Sequence, residues 1–571
     1  IAPSTKLEWH ECYNKFLCAR LTVPMDYHRP LEASSDNPKV DIALLMLPGL
    51  NHSLTKNWST SPLLINPGGP GGPGTSAAAA FGPRLRSVVG YDQDIIGFDP
   101  RGIQYTTPLA DCFSFPGPSG ETSEDDIHRG VFHRLAWATM GKEVGMVNSS
   151  DAALQKLDHR ARGVSKLCGE KDKLYGNDSI LRHVDTPNVA RDMLSIIDAW
   201  DAWVEEEKAK KQTVVNCGVQ HDKPDNGAVD PLDTKGKLVY WGFSYGSLLG
   251  ATFAAMFPDR VGRVILDGVV DADHYVAPIW SESIQDTDKV LSMFYRHCVM
   301  VASKCSFFRP FDTETTLAAR LHEVEARLRN NPIVTVDKYS NAPSVFSYSD
   351  LRLLLFSIMY SPVQLFPILS DILNYIYEED TEFFSRGWGA YLDYKPFCTN
   401  DSLGPIERAG EAQLAIMCSD KRYPLNETVH NLNHLFKKLS KHSSFADVWV
   451  SVMMGCDGWE IEAEDPPMRW DDHPVHKPKP IKTFFPVLFL SNSADPVTPL
   501  AAGVLMARKF VDAGLVEQES GGHCSISTVS QCTIQKVREY FHEGKVPPHP
   551  SKLEDAEWTR CSADEWPWQP Y

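Results

Sequence analysis

Residues 239–250 read VYWGFSYGSLLG. An apolar, strand-like run ends at Gly242, Ser244 stands between Gly242 and Gly246, and a helix-like run follows at once. The G-x-S-x-G pattern alone is common by chance. A strand before it and a helix after it supply the context of a nucleophile elbow, a strained turn that lifts a serine hydroxyl above a sheet while flanking glycines relieve the crowding. A serine that merely caps a helix is the plainer alternative, so the rest of the chain decides.

A serine hydroxyl is a poor nucleophile until a base takes its proton, and the base needs an acid to hold its tautomer and stabilise its charged form. Where the nucleophile sits on such an elbow, the acid and the histidine follow it in that order. The stretch FPVLFLSNSADPVTP places Asp495 just past a strand-like run, and VEQESGGHCSIS places His523 after another run and two glycines. Singly, Asp495 reads as well as an Asp-Pro turn, and His523 as one of 19 histidines. Jointly, at consecutive strand ends, they complete a Ser244, Asp495, His523 triad.

The run LLINPGGPGGPGTSAAAA (63–80) packs five glycines and three prolines behind a short apolar strand. A surface turn is the plain reading. The triad gives a second one: acyl transfer needs backbone N–H groups aimed at the developing oxyanion, and glycine lets bare backbone come close. The expected donors are the amide of Tyr245, next to the nucleophile, and that of Gly69, with Gly68 as its neighbour.

Short apolar runs at 40–47, 62–65, 94–98, 237–241, 264–266, 485–490 and 515–517 read as buried strands, with helix-length segments at 187–205, 247–257, 500–513 and 528–541. Strands alternating with helices predict an α/β fold with a mainly parallel sheet covered on both faces. Residues 275–475 differ, with helical patterns at 281–301, 315–330, 349–360, 362–379 and 407–416 and almost nothing strand-like. The division expected is a first part of the core at 1–274, an inserted helical cap at 275–475, and a C-terminal part of the core at 476–571 that carries the acid and the histidine. Polar, proline-containing stretches at 216–235 and 464–482 read as a surface loop and the return connection.

With 571 residues, 43% hydrophobic and 23% charged, the chain has ordinary globular composition. Acidic side chains outnumber basic ones by 74 to 56, a formal charge of -18. That argues against nucleic acid or an anionic membrane as partner, since both reward a basic surface. No run approaches the ~20 apolar residues of a membrane span. The chain starts at Ile1 with no signal-like stretch and reads as a processed form. Thirteen cysteines and six Asn-x-Ser/Thr sequons, at Asn51, Asn57, Asn148, Asn177, Asn400 and Asn426, favour an oxidising, secretory location.

The pieces WHECYNKFLCARLTVPMDYHRP (9–30), NPGGPGGPG (66–74), GFDPRG (97–102), GFSYGS (242–247), VILDGVVDADHY (264–275), FLSNSADPVTP (489–499), GGHCSIS (521–527) and YFHEGKVP (540–547) are collinear along nearly the whole chain. In them the sequence resembles the secreted tripeptidyl-aminopeptidase and proline-iminopeptidase-like branch of the α/β-hydrolases, with a TAP-like C-terminal region. The iminopeptidase form of the oxyanion loop usually begins with histidine; here that position is Pro67, as in the tripeptidyl branch. The resemblance implies disulfides Cys12–Cys18, Cys112–Cys168, Cys298–Cys305, Cys418–Cys456 and Cys532–Cys561. Cys524, beside His523, reads either as a free thiol or, more plainly, as a small buried apolar residue.

The function expected is that of a secreted serine hydrolase, an aminopeptidase releasing short N-terminal peptides or residues through an acyl-enzyme. An esterase or lactonase on the same triad is the rival, and a non-catalytic binding protein on the same scaffold a remoter one. The substrate is a peptide or small acyl compound, no cofactor is implied, and a monomer is expected. An aminopeptidase must also hold a protonated amine, for which the cap offers carboxylates such as Glu282 and Asp286. His430 and His434, four apart on a predicted helix, lack a third ligand, so no metal is expected. His473 and His476 read as solvated, and Asp99 and Arg101 of GFDPRG as structural.

Overall fold

The computed structural model describes residues 1–31, 36–50, 58–117, 122–214, 233–277, 280–338, 341–385, 411–423, 425–470, 479–551 and 557–569, the side chains of 211–214 excepted. The loop expected at 216–235 falls almost wholly outside these residues, as do His473, His476, Asn51, Asn57 and Asn400.

Ten strands form one sheet: β1 (His10–Cys12), β2 (Phe16–Pro24), β3 (Lys39–Leu47), β4 (Leu63–Asn66), β5 (Ile95–Phe98), β6 (Leu238–Phe243), β7 (Val261–Asp267), β10 (Leu488–Ala494), β11 (Gly514–Gly521) and β12 (Thr559–Ser562). Their order is β1-β2-β3-β5-β4-β6-β7-β10-β11-β12. From β5 to β12 every neighbouring pair is parallel; β1, β2 and β3 join antiparallel at one edge. Every residue of β4, β5, β6 and β7 is buried. This is why those strands read as continuous apolar runs rather than as alternation.

Successive side chains go to opposite faces. Leu63, Ile65, Val239 and Trp241 pack on one side with helices Gly74–Val89 and Gln531–Glu543. Leu64, Tyr240, Val264 and Leu266 pack on the other with helices Thr186–Val214, Tyr245–Met256 and Leu500–Ala507. The expectation of a mainly parallel sheet covered on both faces holds.

Between β7 and β10 lie the helices Thr287–Val301, Glu314–Asn330, Tyr348–Ile358, Pro362–Tyr377, Ala412–Ser419, Val429–Leu439 and Ala446–Met453. Two of them lie against the C-terminal end of β11: a Cβ on Gly521 would strike Met293, and one on Gly522 would strike Pro362. Two features depart from the expectation. A hairpin, β8 (Ile333–Val336) with β9 (Pro343–Phe346), sits among these helices. Its exposed residues alternate with less exposed ones, so it lacks the apolar run that marks a buried strand. Helices Glu124–Lys142 and Ala153–Tyr175, between β5 and β6, were not foreseen; Leu154 of the second packs with Leu432, Leu439 and Val450 of the inserted block.

All five disulfides implied by the resemblance are present, and Cys524 is free and buried. Arg101 is fully buried and grips Asp192 through Nε and Nη2 (2.7 and 2.6 Å). Asp99 accepts Thr75 N and Oγ1 and Tyr105 N. Both are structural, as expected.

Several buried carboxyls titrate high. Burial raises Asp99, Asp267 and Asp420 to about 6 and Asp185 to about 7. A group whose folded pKa lies above its unfolded one stabilises below the unfolded value, and that contribution is lost as pH rises through the folded value. Burial holds His183 and His297 low, which acts oppositely over the same range. Burial also raises Asp457 to about 7 and brings Lys421 down to about 7, the lysine acting with the histidines. With five groups against three, the melting temperature should be higher at pH 5 than at pH 7; a melt that rises toward pH 7 would refute this balance.

Candidate active site

Ser244 joins β6 to helix Tyr245–Met256 with φ 57° and ψ -125°, a conformation that non-glycine residues rarely adopt. The strain is held by contacts on both sides. Ser244 N donates to Asp267 O (2.9 Å), and its own carbonyl accepts from Ser247 N (2.8 Å) and Ser247 Oγ (2.6 Å). A Cβ at Gly242 would come within 2.3 Å of Gly246 O, and one at Gly246 within 2.7 Å of Asn66 O. The elbow closes only with glycine at both places, as the motif requires.

The proline–glycine loop lies directly against this turn. A Cβ on Gly68 (φ +93°) would sit 2.4 Å from Phe243 O, 2.8 Å from Ser244 Cβ and 2.9 Å from Tyr245 N. The Gly68 N–H is taken by Asn66 Oδ1 (2.9 Å). Gly69 is exposed, and its N–H has no acceptor among the described residues. Tyr245, first residue of its helix, has no carbonyl one turn back to bond. The two expected donors are thus free to bind, while Gly68 supplies the close approach. Gly68→Ala should lower kcat about 10²- to 10³-fold, the scale of losing one oxyanion donor. Unchanged kcat in a folded variant would disconnect this loop from the chemistry.

His523 and Asp495 meet at the ends of β11 and β10. His523 Nδ1 lies 2.9 Å from Asp495 Oδ1 and 3.0 Å from Oδ2. Nδ1 therefore carries the proton, leaving Nε2 as the unprotonated nitrogen of the ring. Asp495 is fully buried and also accepts from Val497 N (3.0 Å), Thr498 N (2.9 Å) and Cys524 N (2.9 Å). Burial alone would raise its pKa; the histidine's charge and these hydrogen bonds outweigh burial and hold it below the usual value. His523 N donates to Tyr360 O (2.9 Å), and the Tyr360 ring stands edge-on to the imidazole at 4.7 Å. Thr498 Oγ1 is 3.3 Å from Nδ1.

Asp267, Tyr360 and Thr498 were not singled out from the sequence. Asp267 joins the loop of Ser244 to that of His523: its carbonyl takes Ser244 N, and its carboxylate takes Ser525 N (2.7 Å), Ser525 Oγ (2.5 Å) and Trp241 Nε1 (3.1 Å). The one available signal was a carboxylate closing an apolar strand in VILDG. Burial raises the Cys524 thiol well above its usual range, which makes it unreactive.

Glu282 lines a cavity of about 130 Å³ with Asp271, His274 and Thr498. Asp286 is buried and ion-paired with Lys289. His430 and His434 are both exposed. Among the described residues, the group of three ligand-type side chains within 4.8 Å of one another is Asp495, His523 and Cys524.

Residues 441–553 match the family model of TAP-like proteins, which spans Asp495 and His523. The chain has the α/β-hydrolase fold, and it is a serine hydrolase. The serine protease Hip1 of Mycobacterium tuberculosis is 25% identical to this hydrolase, over 94% of its chain and 87% of that protein. A tripeptidyl aminopeptidase of Streptomyces lividans is 23% identical over 94% and 85%. The carboxylesterase B of M. tuberculosis is 23% identical over 93% and 85%. No helix among the described residues is long and apolar enough to cross a membrane.

Proposed function

We propose that this hydrolase is an aminopeptidase that releases short N-terminal peptides or single residues through an acyl-enzyme on Ser244. The observation that carries the reading is the His523 imidazole held by both oxygens of Asp495 beside a serine elbow with two unspent amides next to it. Ser244 Oγ attacks the carbonyl as His523 Nε2 takes its proton, and the Gly69 and Tyr245 amides hold the oxyanion. His523 returns the proton to the leaving amine, then activates water to free the acyl group. Asp495 keeps the tautomer throughout.

Residues 275–475 act as the cap over the two core segments, 1–274 and 476–571. Glu282 is the cap carboxylate we assign to the substrate ammonium group, supported by the cavity it lines together with Asp271 and with Thr498, the neighbour of the imidazole. The peptidase names of two relatives favour peptides; the carboxylesterase keeps acyl esters as the second reading.

The test is mass spectrometry of a mixed library of short peptides, free and N-acetylated, after incubation with the wild type, Ser244→Ala and Glu282→Gln. Loss of N-terminal fragments from free peptides only, absent in Ser244→Ala and indifferent to acetylation in Glu282→Gln, is expected. Cleavage of esters with no peptide cleaved would give the role to the esterase reading.

Secretion is part of this proposal, supported by five disulfides. Asn177 and Asn426 are exposed, whereas Asn148 Nδ2 donates to Tyr348 Oη (3.2 Å). Glycans in a eukaryotic secretory host should therefore appear on Asn177 and Asn426 ahead of Asn148. Glycopeptide mapping that finds Asn148 alone occupied would contradict this.

A further inference from the structure

Helix Ala412–Ser419 touches both sides of the amide pair assigned to the oxyanion. At its start, a Cβ on Gly71 of the proline–glycine loop would come within 3.2 Å of Gln413 N, Cα and Cβ. At its end, the C-cap Asp420 is 1% exposed and spends its carboxylate on the core. It accepts Thr186 N (2.8 Å), Thr186 Oγ1 (2.6 Å) and Tyr275 Oη (3.0 Å). Thr186 Oγ1 in turn lies 2.5 Å from Tyr245 Oη. A threonine hydroxyl has one proton, and here it goes to Asp420. Tyr245 is therefore the donor in its contact with Thr186, and the chain runs Tyr245 to Thr186 to Asp420.

The helix itself has little freedom. Glu411, before its first residue, accepts Arg134 Nε (2.8 Å), Arg134 Nη2 (2.7 Å) and Cys112 N (3.2 Å). The Cys418–Cys456 disulfide ties its last turn to the segment after Met453. The Tyr245 ring is 4% exposed and leans on Tyr275 at 5.7 Å, the second hydroxyl on the same carboxylate.

We propose that Asp420 is a positioning residue: through the Thr186 hydroxyl it fixes the Tyr245 side chain, and with it the Tyr245 main-chain N–H that faces the oxyanion. This rests on the reading of Ser244 as nucleophile and Tyr245 as donor. An inserted-block residue that touches neither substrate nor triad then sets the rate of acylation rather than the affinity for substrate.

The test uses chemistry independent of the natural acyl group: hydrolysis of p-nitrophenyl acetate and the rate of labelling by a fluorophosphonate. Wild type, Asp420→Asn, Tyr245→Phe and the double variant are compared, with a thermal melt of each. Both single variants should lower kcat and the labelling rate about 10- to 100-fold, a partial loss of one donor, with KM within about threefold. The double variant should be no worse than the poorer single, because both cut one chain. Unchanged kcat in the singles, losses that multiply in the double, or a change in KM alone would overturn the proposal. If Asp420→Asn does not fold, Thr186→Val paired with Tyr245→Phe carries the same comparison. A wild type that is never labelled would instead sink the reading of Ser244, and this inference with it.

Discussion

Ser244→Ala is expected to lower kcat by about six orders of magnitude, the scale seen when a serine protease loses its nucleophile. The prediction follows from the backbone rather than from the motif. A residue held at φ 57° between two glycines whose Cβ positions are already occupied has been placed there at a conformational cost. Alanine should accept that turn about as poorly as serine does, so the fold should survive while the hydroxyl is gone. Residual turnover within tenfold of wild type in a folded variant would move the nucleophile elsewhere.

His523→Ala should cost nearly as much, since serine without its base is as inert as the base without its serine. The variant should fold. The His523 N–H to Tyr360 O bond is made by the main chain, and Asp495 keeps the amides of Val497, Thr498 and Cys524 when the imidazole is removed. The buried carboxylate thus stays satisfied. Loss of activity with a nearly unchanged melting temperature is the expected pattern; loss of both would make His523 a structural residue.

The parts of this site legible in the sequence are those whose chemistry or backbone leaves no choice. Gly242, Ser244 and Gly246 are spelled out by the steric closure of the elbow. Asp495 and His523 could be placed because both sit at the ends of largely buried parallel strands, which leave apolar runs as landmarks. β1 and β12 at the sheet edges, and β2 beside one of them, leave no such mark, being held by pairing with neighbours rather than by burial on both faces. The hairpin β8–β9 was hidden for the same reason.

Glu124–Lys142 and Ala153–Tyr175 went unread because each buries only a narrow stripe; most of their residues are polar or exposed. Asp267, Thr186 and Asp420 act through contacts between segments 59 to 258 residues apart. No local pattern encodes such a pairing, and an aspartate that ends a strand or a helix is as ordinary in sequence as any turn residue.

The most direct measurement is peptide mapping of the protein after reaction with a fluorophosphonate. The account predicts a single adduct, on the peptide that carries Ser244, absent in His523→Ala. An adduct on another serine, or none under conditions that label a control serine hydrolase, would contradict it.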